Sequence, residues 1–201
     1  MKIFKLLIFS FLLFTFYFLL TSCSGSSCVK DEAIIPPDIL EKGDQFIISL
    51  TGEDFFYNYI SPDLTKSNQI HSGYLLAYKF SMPEKPFVNG SIRFTVDSLG
   101  NVLRDTEISG IPNCIESPKE CEFIVDEEKA VKIAEDNNLD AGIKKWNTNF
   151  IWSSVYKKYI WQILNTLRES VGEFGYRGNG KEMIIDPNTG EVLALNDWRI
   201  N

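Results

Sequence analysis

Four cysteines and one histidine supply most of the specific side-chain chemistry in this 201-residue chain. Cys114 and Cys121 enclose a short segment that contains the turn-forming pair Ser117-Pro118. Two cysteines this close across a turn can form a disulfide in an oxidising compartment, and two free thiols are the alternative. We predict the disulfide between Cys114 and Cys121, which by loop-closure entropy would stabilise the fold by about 2.5 kcal/mol.

Sequence motifs typical of enzymes (Gly-x-Ser-x-Gly, a Walker loop, His-Glu-x-x-His) do not occur. His71 is the only histidine and lies in a polar stretch, so we expect it to be solvated and no two-histidine metal site to form. Residues 186–191 resemble a calcium-binding loop, but the glycine is one position too early and a turn explains them better. Glu127 and Glu128 lie at a predicted helix start, where the helix dipole favours carboxylates. We expect no catalytic residue, no metal and no cofactor, and a carboxylate hydrolase is the least favoured function.

The beginning of the chain is typical of a targeting segment. Lys2 and Lys5 form a short basic region, and an apolar run follows over residues 6–20. A membrane-spanning helix needs about 20 apolar residues, so this run has the length of a signal-peptide core instead. An uncleaved anchor that spans the membrane once is the alternative.

A lipidation motif ends this segment. Residues 20–23, with the sequence Leu-Thr-Ser-Cys, resemble the bacterial lipobox, in which the cysteine thiol is acylated and the chain is cut immediately before it. We therefore predict a signal peptide over residues 1–22, a lipid anchor on Cys23 that binds the membrane, and a location in the cell envelope. Ser24, the next residue, favours the outer membrane over the inner one.

Charge and composition restrict the possible partners. The chain has 27 acidic and 20 basic residues and a net charge of −7, so we expect no nucleic-acid binding. Aromatic residues make up 13% of the chain, which is too many for a disordered protein. The polar segment over residues 23–37 is typical of a flexible tether, in which the state of Cys28 stays open.

Residues 38–110 form the first of two predicted α+β units. Thr51 is predicted to cap a helix that ends before Pro62. Alternating apolar residues then predict three strands, which are Gly73–Phe80, Ser91–Asp97 and Val102–Ile108. One side of the first strand is predicted to carry Tyr74, Leu76, Tyr78 and Phe80, and the inward side of the second Ile92, Phe94 and Val96.

Residues 124–201 form the second unit, after a connector over residues 111–123 that contains the cysteine pair. Asp126 is predicted to cap a helix that ends at Asn137-Asn138. The buried side of this helix is predicted to carry Ala130, Ile133 and Ala134. Strands are predicted at about 149–155 and 159–168, with a final hairpin over 182–195.

The two units contain similar hairpins. Asp97 and Asp186 each follow an apolar strand, and Gly100 and Gly190 come later in the same turn. The aspartate can accept backbone hydrogen bonds within the turn, and the glycine can adopt the positive φ needed to leave it. This shared order predicts structural roles for the four residues and a duplicated unit, although any two β-hairpins share some of these features.

The second unit resembles a PepSY domain over about residues 124–196, in its acidic helix start, its helical alanines and its final hairpin. The matching residues are Asp126, Glu127, Glu128, Ala130, Ile133, Ala134, Ile185, Asp186, Thr189, Gly190, Glu191 and Val192. A weaker similarity extends over residues 50–108. The resemblance implies an α+β fold of tandem small units, each a helix packed on an antiparallel β-sheet, as in the β-lactamase inhibitor protein.

The resemblance also implies a function. PepSY units occur in protease propeptides and in envelope proteins, where an inhibitory or binding role is proposed, and the family brings no catalytic residues. We therefore expect a non-enzymatic binding or regulatory module that acts on a protease or another envelope protein.

An aromatic group in the second unit suggests an alternative. It consists of Trp146, Trp152, Tyr156, Tyr159 and Trp161. These residues either pack in the core or line an open sheet face that binds a ligand. The second case predicts a structural or sensory lipoprotein that binds a small molecule on this face.

Overall fold

The computed structural model describes residues 35–173 and 175–201, which belong to one compact α+β unit. The predicted signal peptide, Cys23 and Cys28 lie outside these residues. The helices are α1 (Pro37–Thr51), α2 (Glu53–Tyr59) and α3 (Glu127–Asp136). The strands are β1 (Ile60–Pro62), β2 (Asn68–Ile70), β3 (Gly73–Met82), β4 (Lys85–Asp97), β5 (Asn147–Ser153), β6 (Lys158–Leu164), β7 (Arg168–Gly172), β8 (Gly175–Ile185) and β9 (Val192–Ile200). None of the described helices is long and apolar enough to cross a membrane.

The described part of the chain begins with a helix that the sequence patterns did not indicate. α1 starts at Pro37, and proline suits the first position of a helix because its missing N–H would have no partner there. Ile35 is already buried against the core of the first half. Residues 35–37, which were predicted to belong to the tether, are therefore part of the folded unit.

The helix cap predicted at Thr51 is wrong. Thr51 is the last residue of α1, and its hydroxyl donates back to the carbonyl of Ile47 (3.0 Å). Gly52, with a φ of 86°, breaks the helix, and α2 starts at the next residue without a side-chain cap. A threonine hydroxyl can donate to a carbonyl four residues earlier or accept an N–H two or three residues later. The residue type alone therefore does not decide whether Thr51 ends one helix or caps the next. The expectation of one helix per unit is thus wrong for the first half.

α1 and α2 pack on a four-stranded antiparallel sheet. β3 pairs with β4 along its length, and β1 and β2 share the other edge of β3. The buried face is the one that alternation predicts, and it carries Leu76, Tyr78, Phe80, Ile92, Phe94 and Val96. α1 crosses this face at Gly43, and Tyr78 donates a hydrogen bond to Asp44 beside it (2.8 Å).

The strand predicted over Val102–Ile108 does not form. Two isolated bridges to β4 replace it, at Val102 and Ser109. Between them, the hydroxyl of Thr106 donates to the carbonyl of Leu103 (2.7 Å) and closes a turn. Alternation predicted a continuous strand, but the polar residues 104–106 lead the chain away from β4 and back.

α3 packs on a five-stranded antiparallel sheet. β8 pairs with β9 on one edge and with β6 and β7 on the other, and β5 extends the sheet beyond β6. As predicted, Asp126 caps α3 by accepting the N–H of Lys129 (2.9 Å), and Ala130 and Ala134 are buried. The sheet residues in the same core are Trp161, Ile163, Met183 and Ile185.

The segment 159–168, predicted as one strand, is interrupted by Asn165. The side chain of Asn165 is buried and bonds to the N–H of Lys181 (2.6 Å) and to the carbonyl of Asp140 (2.7 Å). The amide oxygen thus takes the N–H of Lys181, whereas the backbone N–H of Asn165 still donates to the Lys181 carbonyl (3.0 Å). β7 therefore restarts at Arg168 and pairs with the outer half of β8.

An aromatic cluster joins the two sheets. Tyr159 of β6 is 2% exposed, packs against Phe80 of the first sheet and stacks on Phe150 of β5, with ring centroids 5.3 and 5.1 Å away. Its hydroxyl donates to the carbonyl of Gly110 (3.0 Å). Gly90 lies against the ring, where a methyl group would come within 2.4 Å of the hydroxyl. The two halves of the chain therefore share one packed interior.

We predict that Tyr159→Phe lowers the free energy of unfolding by about 1–2 kcal/mol, because the buried carbonyl of Gly110 loses its donor. Urea denaturation followed by tryptophan fluorescence measures the change. Tyr57→Phe is the control, since Tyr57 is 72% exposed. The control should change stability by less than about 0.5 kcal/mol. An unchanged stability for Tyr159→Phe would contradict the role given to this bond.

Candidate functional site

The sulfur atoms of Cys114 and Cys121 lie at disulfide-bonding distance, 2.03 Å, with the α-carbons 5.6 Å apart. The loop that they close contains a short 3-10 helix over Pro118–Cys121. Glu120 of this helix lies 3.4 Å from Lys158 of β6. The cysteine-bracketed connector is thus attached to the second sheet by an ion pair as well as by the chain.

The turns at Asp97 and Asp186 share one hydrogen-bond pattern. Asp97 Oδ1 accepts two backbone N–H groups of its turn (both 2.8 Å), and Asp186 Oδ1 accepts one (2.8 Å). Gly100 and Gly190 each donate their N–H to the carbonyl of that aspartate. Their φ angles are 83° and 77°, in the region that favours glycine.

The second of these turns also holds the connector. Asp186 is 4% exposed, and its Oδ2 accepts a hydrogen bond from the Lys158 ammonium (2.9 Å). Burial alone would lower the pKa of Lys158, but the bond to Asp186 and the attraction of Glu120 raise it above its ordinary value. The side chain of Asn188 accepts the backbone N–H of Phe123 (2.8 Å). The turn therefore also fixes the connector to the second sheet, a role that its sequence did not indicate.

The predicted aromatic residues do not form one open face. Tyr159 and Trp161 are 2% and 3% exposed, and the Trp161 indole donates to the carbonyl of Val125 (2.8 Å). Trp152 is half-buried against the core of the first half. The prediction of a ligand-binding sheet face that includes all these rings is therefore wrong, because Tyr159 and Trp161 lie in the interior. Trp146 has a different position, at the edge of a surface groove.

This groove, the Trp146 groove, has a volume of about 1040 Å³ and lies between α3 and the start of β5. The Trp146 indole donates to the carbonyls of Asp140 and Ala141 (3.0 and 2.9 Å). These bonds fix the orientation of the ring. Val131 of α3 and Leu139 add to the apolar part of the lining.

Acidic side chains border the Trp146 groove. They are Glu127, Glu128, Glu135 and Asp140, all exposed. Two of them are engaged, since Glu127 accepts a hydrogen bond from Thr148 and Asp140 lies 3.2 Å from Lys181. The other two form no ion pair with any residue that the structure describes, and Lys145 is a basic residue of the lining. The groove therefore suits a ligand that is both cationic and partly apolar.

Metal-ligating side chains are not brought together in the described ranges. No group of three or more His, Cys, Asp or Glu residues there could hold a metal ion. His71 is exposed on the turn that precedes β3. The carboxylates of the Trp146 groove are accordingly spread along its border.

Sequence patterns did not identify the Trp146 groove, although α3 contains one signal for it. Glu127, Val131 and Glu135 follow one another at intervals of four residues, so they share one side of α3. Ala130 and Ala134, three and seven residues after Glu127, lie on the adjacent side of the helix, which is buried. The remaining lining residues follow the helix in a loop, where no periodicity could place them.

No family model matches the sequence, and no curated protein matches it. A function must therefore be inferred from the side chains and from the sequence patterns themselves.

We predict that Gly190→Ala destabilises the protein by about 1–2 kcal/mol, because an L side chain is strained at positive φ. The added methyl group would also lie 3.1 Å from Ile133 Cδ1. Thermal unfolding followed by circular dichroism measures the effect. Gly172→Ala is the matched control, since no described atom lies within 4 Å of its new methyl group. Equal melting temperatures for Gly190→Ala and the parent would exclude a structural role for this glycine.

Proposed function

We propose that this chain is a lipid-anchored, non-enzymatic binding module of the bacterial cell envelope, and that the Trp146 groove holds a cationic segment of a partner protein. The observation that carries the proposal is an oriented indole bordered by four carboxylates. The partner is an envelope protein, and a protease is the class that the PepSY resemblance suggests.

The open border of the groove favours a peptide segment over a small molecule. Cavities for small ligands enclose most of the ligand. The Trp146 groove is instead bordered by exposed side chains. An apolar side chain of the segment would pack on the indole, and lysine or arginine side chains would pair with the carboxylates. Each exposed ion pair contributes only about 0–1 kcal/mol, so the contact with Trp146 must supply part of the affinity.

The N-terminal sequence supports the membrane location. The lipobox-like residues 20–23 favour acylation of Cys23, and each buried methylene group of an acyl chain contributes about 0.8 kcal/mol to membrane binding. The polar residues that follow would act as a tether. Such a tether would let the folded part reach a partner near the membrane.

The tandem PepSY-like architecture is part of the same proposal. In the first half, β3 pairs with β1 and β4; in the second half, β6 pairs with β5 and β8. A helix precedes the strands in both halves, and the turns at Asp97 and Asp186 use the same backbone bonds. These similarities support a duplicated unit, with the last strand of the first copy reduced to two bridges.

We predict that a cationic, partly apolar peptide binds at Trp146. The full chain in a nonionic detergent is titrated with a synthetic peptide of alternating lysine and leucine, and binding is followed by tryptophan fluorescence. Trp146→Phe should remove the fluorescence change. Glu128→Gln combined with Glu135→Gln should weaken binding about three- to tenfold, since each lost ion pair contributes up to about 1 kcal/mol.

Two controls separate this site from unspecific attraction to an acidic protein. A peptide with glutamate in place of lysine should not bind. Glu53→Gln combined with Glu107→Gln removes the same charge from exposed carboxylates outside the groove, and should change the affinity by less than about twofold at physiological salt. If both double variants weaken binding equally, the effect comes from the net charge of the protein and the proposed site is wrong.

We predict that the protein isolated from bacterial membranes begins at Cys23 and carries acyl chains. Intact mass spectrometry measures this directly. Cys23→Ser should retain residues 1–22 and carry no acyl chain, because the thiol is the acceptor. Cys28→Ser, the matched control, should be processed like the parent. A parent mass that includes residues 1–22 would contradict the lipid anchor and favour the single-span alternative.

A further inference from the structure

Three of the five arginines of this chain share one face of the second sheet. Arg168 of β7 and Arg199 of β9 lie directly opposite Asn179 of β8, one on each side. Arg177 precedes Asn179 by two residues on β8, so its side chain is on the same face. Neighbouring strands are about 5 Å apart, which brings the three side chains to the border of one cavity. This cavity has a volume of about 510 Å³.

The three arginines have no ionic partner among the described residues. No carboxylate oxygen there lies within 4.0 Å of their guanidinium nitrogens. Glu169 borders the cavity, but it follows Arg168 on β7 and therefore faces the other side, where it bonds to Lys144 and Tyr176. Asp197 is on the arginine face, two residues along β9 from the cavity, and forms no ion pair with a described residue.

This clustering is not a consequence of overall charge, because the chain has a net charge of −7. Like charges at neighbouring strand positions repel each other, and an anion bound between them would relieve the repulsion. Asn179 adds a second observation, since its side-chain oxygen is buried without a hydrogen-bond partner among the described residues. An amide without a fixed partner can turn its NH₂ group toward a ligand, because its two ends have nearly the same shape.

We propose that Arg168, Arg177 and Arg199 form a binding site for a phosphate-bearing anion, either a small phosphorylated molecule or a phospholipid headgroup. A guanidinium group binds two phosphate oxygens in parallel, and its charge strengthens both bonds. A carboxylate has one charge and two oxygens, which one or two arginines satisfy. A phosphate or pyrophosphate group has enough charge and oxygens to engage all three. The site is separate from the Trp146 groove, whose lining shares no residue with it.

The test records the arginine Nε–H NMR signals of the full chain in a nonionic detergent during titration with pyrophosphate at fixed ionic strength. The signals of the three arginines should shift together and saturate, while that of Arg104, an exposed arginine of the first half, should not. Arg168→Gln combined with Arg199→Gln should weaken binding at least about tenfold, because two charge-assisted contacts are lost. Arg104→Gln is the matched control and should leave binding unchanged. Arg177→Gln alone tests the site if the double variant does not fold.

A second arm distinguishes the two sources of phosphate. Short-chain phosphatidylglycerol replaces pyrophosphate, with short-chain phosphatidylcholine as the neutral control. Binding of pyrophosphate alone identifies a soluble phosphorylated ligand, and binding of phosphatidylglycerol alone identifies a headgroup; both results support the site. Three results overturn it: no saturable shift with either compound, equal shifts with acetate, or the same affinity in the arginine variants as in the parent.

Discussion

The packing of the Tyr159 ring holds the two halves of the molecule together. Phe80, Phe123, Phe150 and Trp152 lie around it, with ring centroids between 5.1 and 6.1 Å away. These rings come from both sheets and from the connector, so the sheets cannot separate without exposing several aromatic surfaces to water. Burial also raises the pKa of the Tyr159 phenol, which therefore remains a neutral donor to the first half. The Trp146 groove and the arginine face belong to a sheet that is held in place by this contact.

The connector contains a strained residue, Phe123, whose ring fills part of this interior. Phe123 has a φ of 43°, a left-handed conformation that costs a bulky residue about 1–3 kcal/mol. Two contacts offset that cost, since its ring is buried among the aromatic residues and its N–H donates to Asn188. Lys158 forms ion pairs with Glu120, three residues before Phe123, and with Asp186, two residues before Asn188, so it holds both segments that make this contact. The connector over residues 111–123 is thus packed into the fold and is more than a link between the two units.

The sequence predicted the features of this fold that depend on local periodicity. Alternation identified the buried face of β3 and β4, and the Asp126 cap identified the start of α3, because each depends on neighbours within a few residues. The break at Asn165 could not be predicted, because its amide bonds to Asp140 and Lys181, which are distant in sequence. The arginine face was missed for the same reason. Its members are brought together by strand register, whereas the sequence separates them by many positions.

Lys181 explains how an acidic and a basic surface can lie on one small sheet. It shares the arginine face, two residues from Asn179 on β8, and would by itself extend the positive charge toward the Trp146 groove. Asp140, a border residue of that groove, lies 3.2 Å from the Lys181 ammonium. This ion pair is neutral and lies at the boundary between the two surfaces. The negative potential of the groove carboxylates and the positive potential of the guanidinium groups are therefore separated. A cationic segment in the groove and an anion among the arginines would therefore not compete for the same residues, and a protein of negative net charge can offer a site for each.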